Sequence, residues 1–315
     1  MTERVVVLTG ASSGIGRAAA LQFAAGGDRV VLAARGPADL AAVARGCTGE
    51  TLVVPTDISA ADEVEALAEA AIERFGRIDV WVDTAAVMAY GKFEEVPREV
   101  FERVVTTDLF GSANVARTAL RHFRRQGSGT LILCSSLLAH VTVPYMSSYT
   151  TAKWGLRALT RTLRQETRDA PDIHVCSVVP GSVDTPIYES AANYAGFVGR
   201  PPPPVDSPER VAAAIVRLAA RPRGEVSVGA TNRLIEFGYV VLPPVYDALV
   251  NLMMRNLGLS RRPIDAHDGN VFTPAERHDG GPLRWGRAQV GLVAGAAATV
   301  AVSAGRTAWS LLARR

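Results

Sequence analysis

Tyr149 and Lys153 stand four residues apart in Tyr149-Thr150-Thr151-Ala152-Lys153, and Ser136 lies thirteen residues before the tyrosine. On a helix this spacing puts the phenol and the ammonium on one face, with about 5–6 Å between their Cβ atoms. A free phenol holds its proton to about pH 10, which makes it a slow acid or base near neutrality. A neighbouring ammonium favours the phenolate and draws the phenol towards a useful range. A serine hydroxyl from a nearby strand end can hold a carbonyl or alcohol oxygen against that phenol. Such a trio suits moving a proton on or off oxygen while a hydride moves at the adjacent carbon. Alone, a Tyr-x-x-x-Lys pair is more often two surface residues of a helix, so its meaning depends on the elements that position it.

Those elements alternate regularly. Short apolar runs at Val5–Thr9, Arg29–Ala33, Thr51–Val54, Asp79–Val82, Gly129–Cys134, Ile173–Val179 and Glu225–Val228 are candidate strands. Helical patterns lie between them near 15–26, 37–45, 60–75, 97–126, 148–169 and 207–220. Near-continuous Val, Ile and Leu runs, each followed by a helix, predict a parallel sheet buried on both faces: an α/β, doubly wound Rossmann-type fold of seven strands. Ligands of such sheets bind outside the carboxyl ends of the strands. At 315 residues the chain can bury a full α/β core with an extension, and 48% hydrophobic against 21% charged residues excludes wholesale disorder. A net charge of +3 with scattered basic residues excludes nucleic-acid binding on composition. Cys47, Cys134 and Cys176 are odd in number and unclustered, which argues against disulfides and a zinc site and for a reducing compartment. Arg4 leads directly into the first strand with no signal peptide before it, so a cytoplasmic location is expected.

The first strand runs into Thr9-Gly10-Ala11-Ser12-Ser13-Gly14-Ile15-Gly16, which opens a helix. Glycines here allow a tight turn and close approach of backbone N–H groups to a pyrophosphate at the helix N-terminus. The alternative is a glycine-rich connection without a ligand. At the end of the second strand, where an acidic residue would bind a ribose 2′-hydroxyl, the chain has Ala33-Ala34-Arg35, with Arg17 just beyond the glycine turn. Two guanidinium groups and no carboxylate suit a 2′-phosphate, hence NADP(H) in preference to NAD(H). The plainer reading is two solvated surface arginines. Asp57, followed by Ile58, is placed to accept from an adenine amino group. It could equally cap the following helix, though Ser59 is the better cap.

Thr9 to Gly16, Asp57, Ser136, Tyr149, Lys153 and Pro180-Gly181-Ser182-Val183-Asp184-Thr185 together resemble the classical short-chain dehydrogenase/reductase family over about residues 4–230, with the membrane-linked or C-terminally extended reductases as the nearest group. The resemblance implies Tyr149 as general acid/base, Ser136 polarising the substrate oxygen, and Lys153 binding the nicotinamide ribose and tuning Tyr149. It also implies Thr185 at the nicotinamide carboxamide, Pro180-Gly181 shaping the turn beneath the ring with Val183 beside it, and a homodimer or homotetramer. Two departures stand out. Asp83-Thr84-Ala85-Ala86 replaces the usual Asn-Asn-Ala-Gly, leaving the Ala85 backbone to line the adenine ribose. Asp108 stands where the family has a helical asparagine that holds a water chain to the lysine, which implies a working but altered proton relay.

A loop from Thr185 to Arg200-Pro201-Pro202-Pro203-Pro204 corresponds to the family's substrate lid, with the prolines as a stiff lid support or, less favourably, a partner site. Met88, Val143, Tyr145, Met146 and Tyr188 could line an apolar pocket for a hydrophobic carbonyl compound, or be plain core. The domain organisation expected is a catalytic unit over 1–230, amphipathic helical patches over 231–260, a linker over 261–287 and an apolar tail over 288–315. The helical patches would cover the pocket, pack on another subunit or lie on a membrane surface. Seventeen uncharged residues, Ala288–Ala304, fall a little short of a bilayer core of about 30 Å. They leave open a membrane attachment or a free tail. The function expected is NADP(H)-dependent interconversion of a carbonyl and a secondary alcohol. Its rivals are an NADP(H)-binding regulatory or scaffold protein with weak or lost catalysis and a dehydratase or epimerase on the same fold.

Overall fold

A computed structural model describes residues 3–274; the tail expected over 288–315 and the 275–287 part of the expected linker lie outside the described residues. Seven parallel strands form the central sheet: β1 Val5–Thr9, β2 Arg29–Ala34, β3 Thr51–Pro55, β4 Val80–Asp83, β5 Gly129–Cys134, β6 Ile173–Pro180 and β7 Glu225–Val228. They lie side by side in the order 3-2-1-4-5-6-7. The order reverses at β1, which pairs with β2 on one side and β4 on the other, and this opens a crevice at the carboxyl ends of those strands. The helices are α1 Gly14–Ala25, α2 Pro37–Gly46, α3 Ala61–Phe75, α4 Arg98–Val105, α5 Ser112–Gln126, α6 Ser147–Glu166, α7 Ile187–Ser190, α8 Pro208–Ala220, α9 Asn232–Val241 and α10 Pro243–Met253.

Successive strand residues point to opposite faces, so each strand feeds two cores. Val6 and Leu8 pack with Phe23 of α1, Leu40 of α2 and Ile215 of α8. Val5 and Val7 pack with Leu67 of α3, Phe123 of α5 and Leu156 of α6. Each such side chain, fully closed to solvent, contributes roughly 1.5–3 kcal/mol by leaving water. Burial on both faces is why these runs are continuously apolar instead of alternating.

The long helical pattern expected over 97–126 is helical throughout, but it widens to a π turn at Thr106–Gly111. Such an extra residue in the helical ladder re-aims side chains and is frequent at functional sites. Here it carries Asp108. Ser59 was the expected cap of α3; the capping residue is instead Ala60, without a side-chain bond, because Ser59 is drawn into a turn with Asp57.

Three short pairings tie down the segment expected as a lid. Ala89–Tyr90 pairs with Ala192–Asn193, Ser182–Val183 with Val205–Asp206, and Phe197–Gly199 antiparallel with Leu259–Pro263. The segment expected as a linker from 261 differs from that expectation in its described part: it is docked through residue 274, with Val271 fully buried. Its Arg, Pro, Gly and Asp content reads as a linker because the docking uses backbone hydrogen bonds and a single valine, which composition does not register. Among the described residues, no helix is long and apolar enough to cross a membrane.

Candidate active site

The glycine turn is built by close contact. Gly10, at φ +77°, adopts a backbone that side chains disfavour, and a Cβ there would lie 2.5 Å from the Ala85 amide nitrogen. A Cβ on Gly16 would run into the Gly10 carbonyl and the Thr84 hydroxyl. The turn is thus locked against the end of β4. Ser13 precedes α1 with a hydroxyl that caps nothing, and no acidic residue lies in the helix's first turn. Exposed Ser13, half-buried Ser12, Gly14 and Ile15, and unopposed helix amides make a cradle that fits a pyrophosphate. Thr185 closes its far side, with its methyl 3.0 Å from where a Cβ on Gly14 would stand.

At the other end of the crevice, Asp57 accepts from the Ser59 amide at 2.9 Å and from Arg103 at 2.5 Å. Burial pushes its carboxyl up, but these hydrogen bonds and the Arg103 charge outweigh burial and hold it below the ordinary range. Ile58 beside it is buried. Arg17 is exposed, whereas Arg35 is half-buried and donates to the carbonyls of Val271 at 3.1 Å and Asn270 at 2.6 Å. Arg103 had no marker in the sequence, since its role depends on a helix packing over the β3 end.

Ser136 follows β5 in an extended conformation, and its Oγ accepts from the Leu138 amide at 3.1 Å. Tyr149 and Lys153 share one face of α6, with the ammonium 5.3 Å from the phenol ring centre. Lys153 is buried; its Nζ donates to the Cys134 carbonyl at 3.4 Å and stands 3.7 Å from Asp108 Oδ2. Asp108 Oδ1 accepts from the Val87 amide at 2.8 Å. A second buried carboxylate, Asp83, accepts from the Thr9 hydroxyl at 2.7 Å and the Ser112 hydroxyl at 2.6 Å.

Electrostatics here depart from one expectation. Burial raises the Tyr149 phenol above its ordinary value; Lys153 and a hydrogen bond with Ser136 pull it down but do not overcome burial. Burial lifts the Asp108 carboxyl to about 6 against the pull of Lys153. Lys153 is penalised by burial, yet Asp108 and its other neighbours hold it firmly protonated. Asp108 therefore spends much of the lysine's field before the phenol receives it.

The pocket residues expected from sequence meet in one cluster: Met88 and Met146 buried, with Val143, Tyr145 and Tyr188 packed against them beside Tyr149. Tyr90, Val250, Met254 and Leu259 join them. Val250 brings α10 into this cluster, and the Tyr246 hydroxyl fastens the helix to the Thr142 carbonyl at 2.8 Å. Leu234, Phe237 and Val240 of α9 stay exposed. Pro180 ends β6, and Val183 is buried just beyond. Gly181 sits so close to Asn232 that a Cβ would lie 2.6 Å from its side-chain oxygen. Asn232 donates to the Ser227 hydroxyl at 3.0 Å and the Val228 carbonyl at 3.2 Å, a support that no spacing in the sequence announced.

Comparison with known proteins agrees with this geometry. The sequence profile of the short chain dehydrogenases matches residues 4–194. Cis-4-hydroxycyclohexanecarboxylate dehydrogenase of Sinomonas cyclohexanicum is 38% identical over 224 residues, covering 69% of this chain and 90% of that protein. The alcohol dehydrogenase of the archaeon Thermococcus sibiricus, solved with 5-hydroxy-NADP, is 30% identical with a TM-score of 0.62, over 72% of this chain and 96% of that one. A short chain dehydrogenase/reductase of Burkholderia phymatum, solved with NAD, is 26% identical with a TM-score of 0.67, over 76% and 95%. With the profile covering well over half of the chain, on a sheet of this order and above a glycine turn of this shape, the protein belongs to the short chain dehydrogenases, a family of oxidoreductases whose fold binds a nicotinamide dinucleotide.

Proposed function

We propose that the protein interconverts a carbonyl and a secondary alcohol on an apolar substrate, with NADP(H) preferred over NAD(H). The observation that carries this reading is the Tyr149 phenol, hydrogen-bonded to Ser136, beside the Lys153 ammonium and open towards the Met88, Met146 and Tyr188 cluster. The bound nicotinamide supplies or accepts the hydride; the protein holds, orients and protonates. Gly10, Ser12, Ser13, Gly14, Ile15 and Gly16 hold the pyrophosphate, Asp57, Ile58 and Ala85 flank the adenosine, and Arg17 and Arg35 take a 2′-phosphate. Pro180, Gly181, Val183 and Thr185 frame the nicotinamide, and Lys153 binds its ribose.

Ser136 fixes the substrate oxygen, and Tyr149 gives that oxygen its proton. Burial keeps the Tyr149 phenol protonated, the form that gives a carbonyl oxygen its proton, while the Lys153 charge offsets part of that burial. Lys153 stabilises the phenolate left behind. Asp108 holds Lys153 charged and fixes the Val87 backbone beside the crevice. The Sinomonas relative is named for the dehydrogenation of a hydroxycyclohexanecarboxylate, which supports a secondary alcohol as the reacting group. Solved relatives carry both NADP and NAD forms, so the cofactor preference rests on Arg17 and Arg35 of this chain, with no carboxylate at the end of β2.

The test is NADPH consumption over a panel of apolar cyclic and linear ketones, beside Tyr149→Phe. Loss of the acid is expected to lower turnover at least about 10²-fold while NADPH binding persists. Turnover that survives in the variant would remove Tyr149 from the reaction. Absence of turnover on every ketone and alcohol offered, with NADPH bound, would overturn the substrate class.

A further inference from the structure

Residues 264–274 run as a strap from Ser190–Gly196, past the segment that follows β4, to Arg35 and Gly36 after β2. The Ile264 amide donates to the Gly196 carbonyl at 3.2 Å, His267 exchanges backbone hydrogen bonds with Asn193, and the Asn270 amide donates to the Ser190 carbonyl at 2.8 Å. Val271 then sinks completely among Val87, Ala89, Val100, Val104 and Ala192. Pro274 ends against Gly36, where a Cβ would lie 3.6 Å from the proline ring. The strap thus leads from the lid to the end of β2. In a doubly wound sheet the dinucleotide lies over the same crevice, with the adenosine ribose at the end of the second strand.

Its last contacts fall on the residue that a 2′-phosphate requires. Arg35 turns Nη1 to the Val271 carbonyl and Nη2 to the Asn270 carbonyl. A guanidinium binds phosphate with paired N–H groups on two anionic oxygens. Both Nη groups are thus engaged by the strap, and a phosphate pairing with the guanidinium competes with these two carbonyl oxygens. A cofactor with a bare 2′-hydroxyl makes no such demand on Arg35.

We propose that the strap is a latch opened by the 2′-phosphate: NADP(H) takes Arg35 from Asn270 and Val271 and releases residues 264–274, whereas NAD(H) leaves them docked. The latch rests on the cofactor reading above and adds to it that the extension senses which dinucleotide is bound. The free energy of docking the strap is subtracted from NADP(H) affinity, so loosening the strap tightens NADP(H) binding.

Backbone hydrogen exchange on the full chain tests this without any turnover. With saturating NADP+, the His267 and Asn270 amides are expected to exchange at least about tenfold faster than in the free protein, and with NAD+ to stay near the free value. Slower exchange with NADP+ would make the strap a clamp and overturn the latch, as would equal responses to the two dinucleotides. In Val271→Ser, the NADP+ Kd is expected to fall about tenfold relative to the NAD+ Kd; an unchanged or higher ratio overturns the latch. Failure of the wild type to bind either dinucleotide would sink the cofactor reading and the latch together. That result differs from NADP+ binding with the strap unmoved, which sinks the latch alone.

Discussion

The Asp108 carboxylate lies 3.7 Å from the Lys153 ammonium, and both side chains are closed to solvent. The distance is too long for a direct hydrogen bond, and Asp108 Oδ2 has no other partner. The pair is an ion pair held by the surrounding scaffold, with Val87 on the carboxylate and the Cys134 carbonyl on the ammonium.

A pH dependence follows from Asp108. Its folded-state value of about 6 lies above the ordinary aspartate value. Between about pH 4 and 6 the folded protein keeps a proton that the unfolded chain releases, so stability falls as pH rises through that window, by on the order of 3 kcal/mol. Asp108→Asn removes the titration and keeps an oxygen for the Val87 amide. Urea denaturation at about pH 4.5 and about pH 7.5 should show a difference between wild type and variant that grows with pH in the variant's favour. An identical pH dependence in the two proteins would count against a raised Asp108.

Lys153 tests the same pair from the other side. Lys153→Met leaves Asp108 and Asp83 buried without their nearest cation, at a cost of about 3–5 kcal/mol. Adding Asp108→Asn should recover part of that loss, because neither charge of the pair then remains. Thermal denaturation of the two single variants and the double variant closes the cycle; strictly additive losses would show that the two residues do not act through each other.

Gly16 is buried where its backbone meets the Gly10 carbonyl. Gly16→Ala must push the glycine turn away from Thr84, with a stability loss of about 1–3 kcal/mol and a turn no longer shaped for pyrophosphate. The expected readout is a rise of at least about tenfold in the Kd of either dinucleotide, against a fold intact by circular dichroism. Binding at wild-type strength would show that the cradle lies elsewhere.

Met254 lies in the cluster formed by Met88, Tyr90 and Met146, against which Tyr149 of α6 packs. Met254→Ser should raise KM for apolar ketones by about tenfold through lost apolar contact, while kcat and dinucleotide Kd change little. A fall in kcat at constant KM would place Met254 in positioning Tyr149 instead of covering the substrate.

Much of this protein is legible in its sequence, because much of it is local. A parallel strand buried on both faces must be apolar throughout, so all seven strands and the helices between them show as runs and periods to within a residue or three. Tyr149 and Lys153 lie on one helix, and Gly10 to Gly16 form one turn, so spacing alone brings each group together. Other relationships depend on distant segments meeting. The π turn that aims Asp108 and the burial that raises both Asp108 and Tyr149 arise from packing between helices far apart in the chain. The fastening of α10 at Thr142, the burial of Val271 and the Asn270 and Val271 carbonyls at Arg35 join segments far apart in the chain, by up to 236 positions, through backbone groups and single side chains. A backbone carbonyl has no letter in the sequence, and a lone valine in a polar stretch has no period. Only the tertiary structure could assign them their partners.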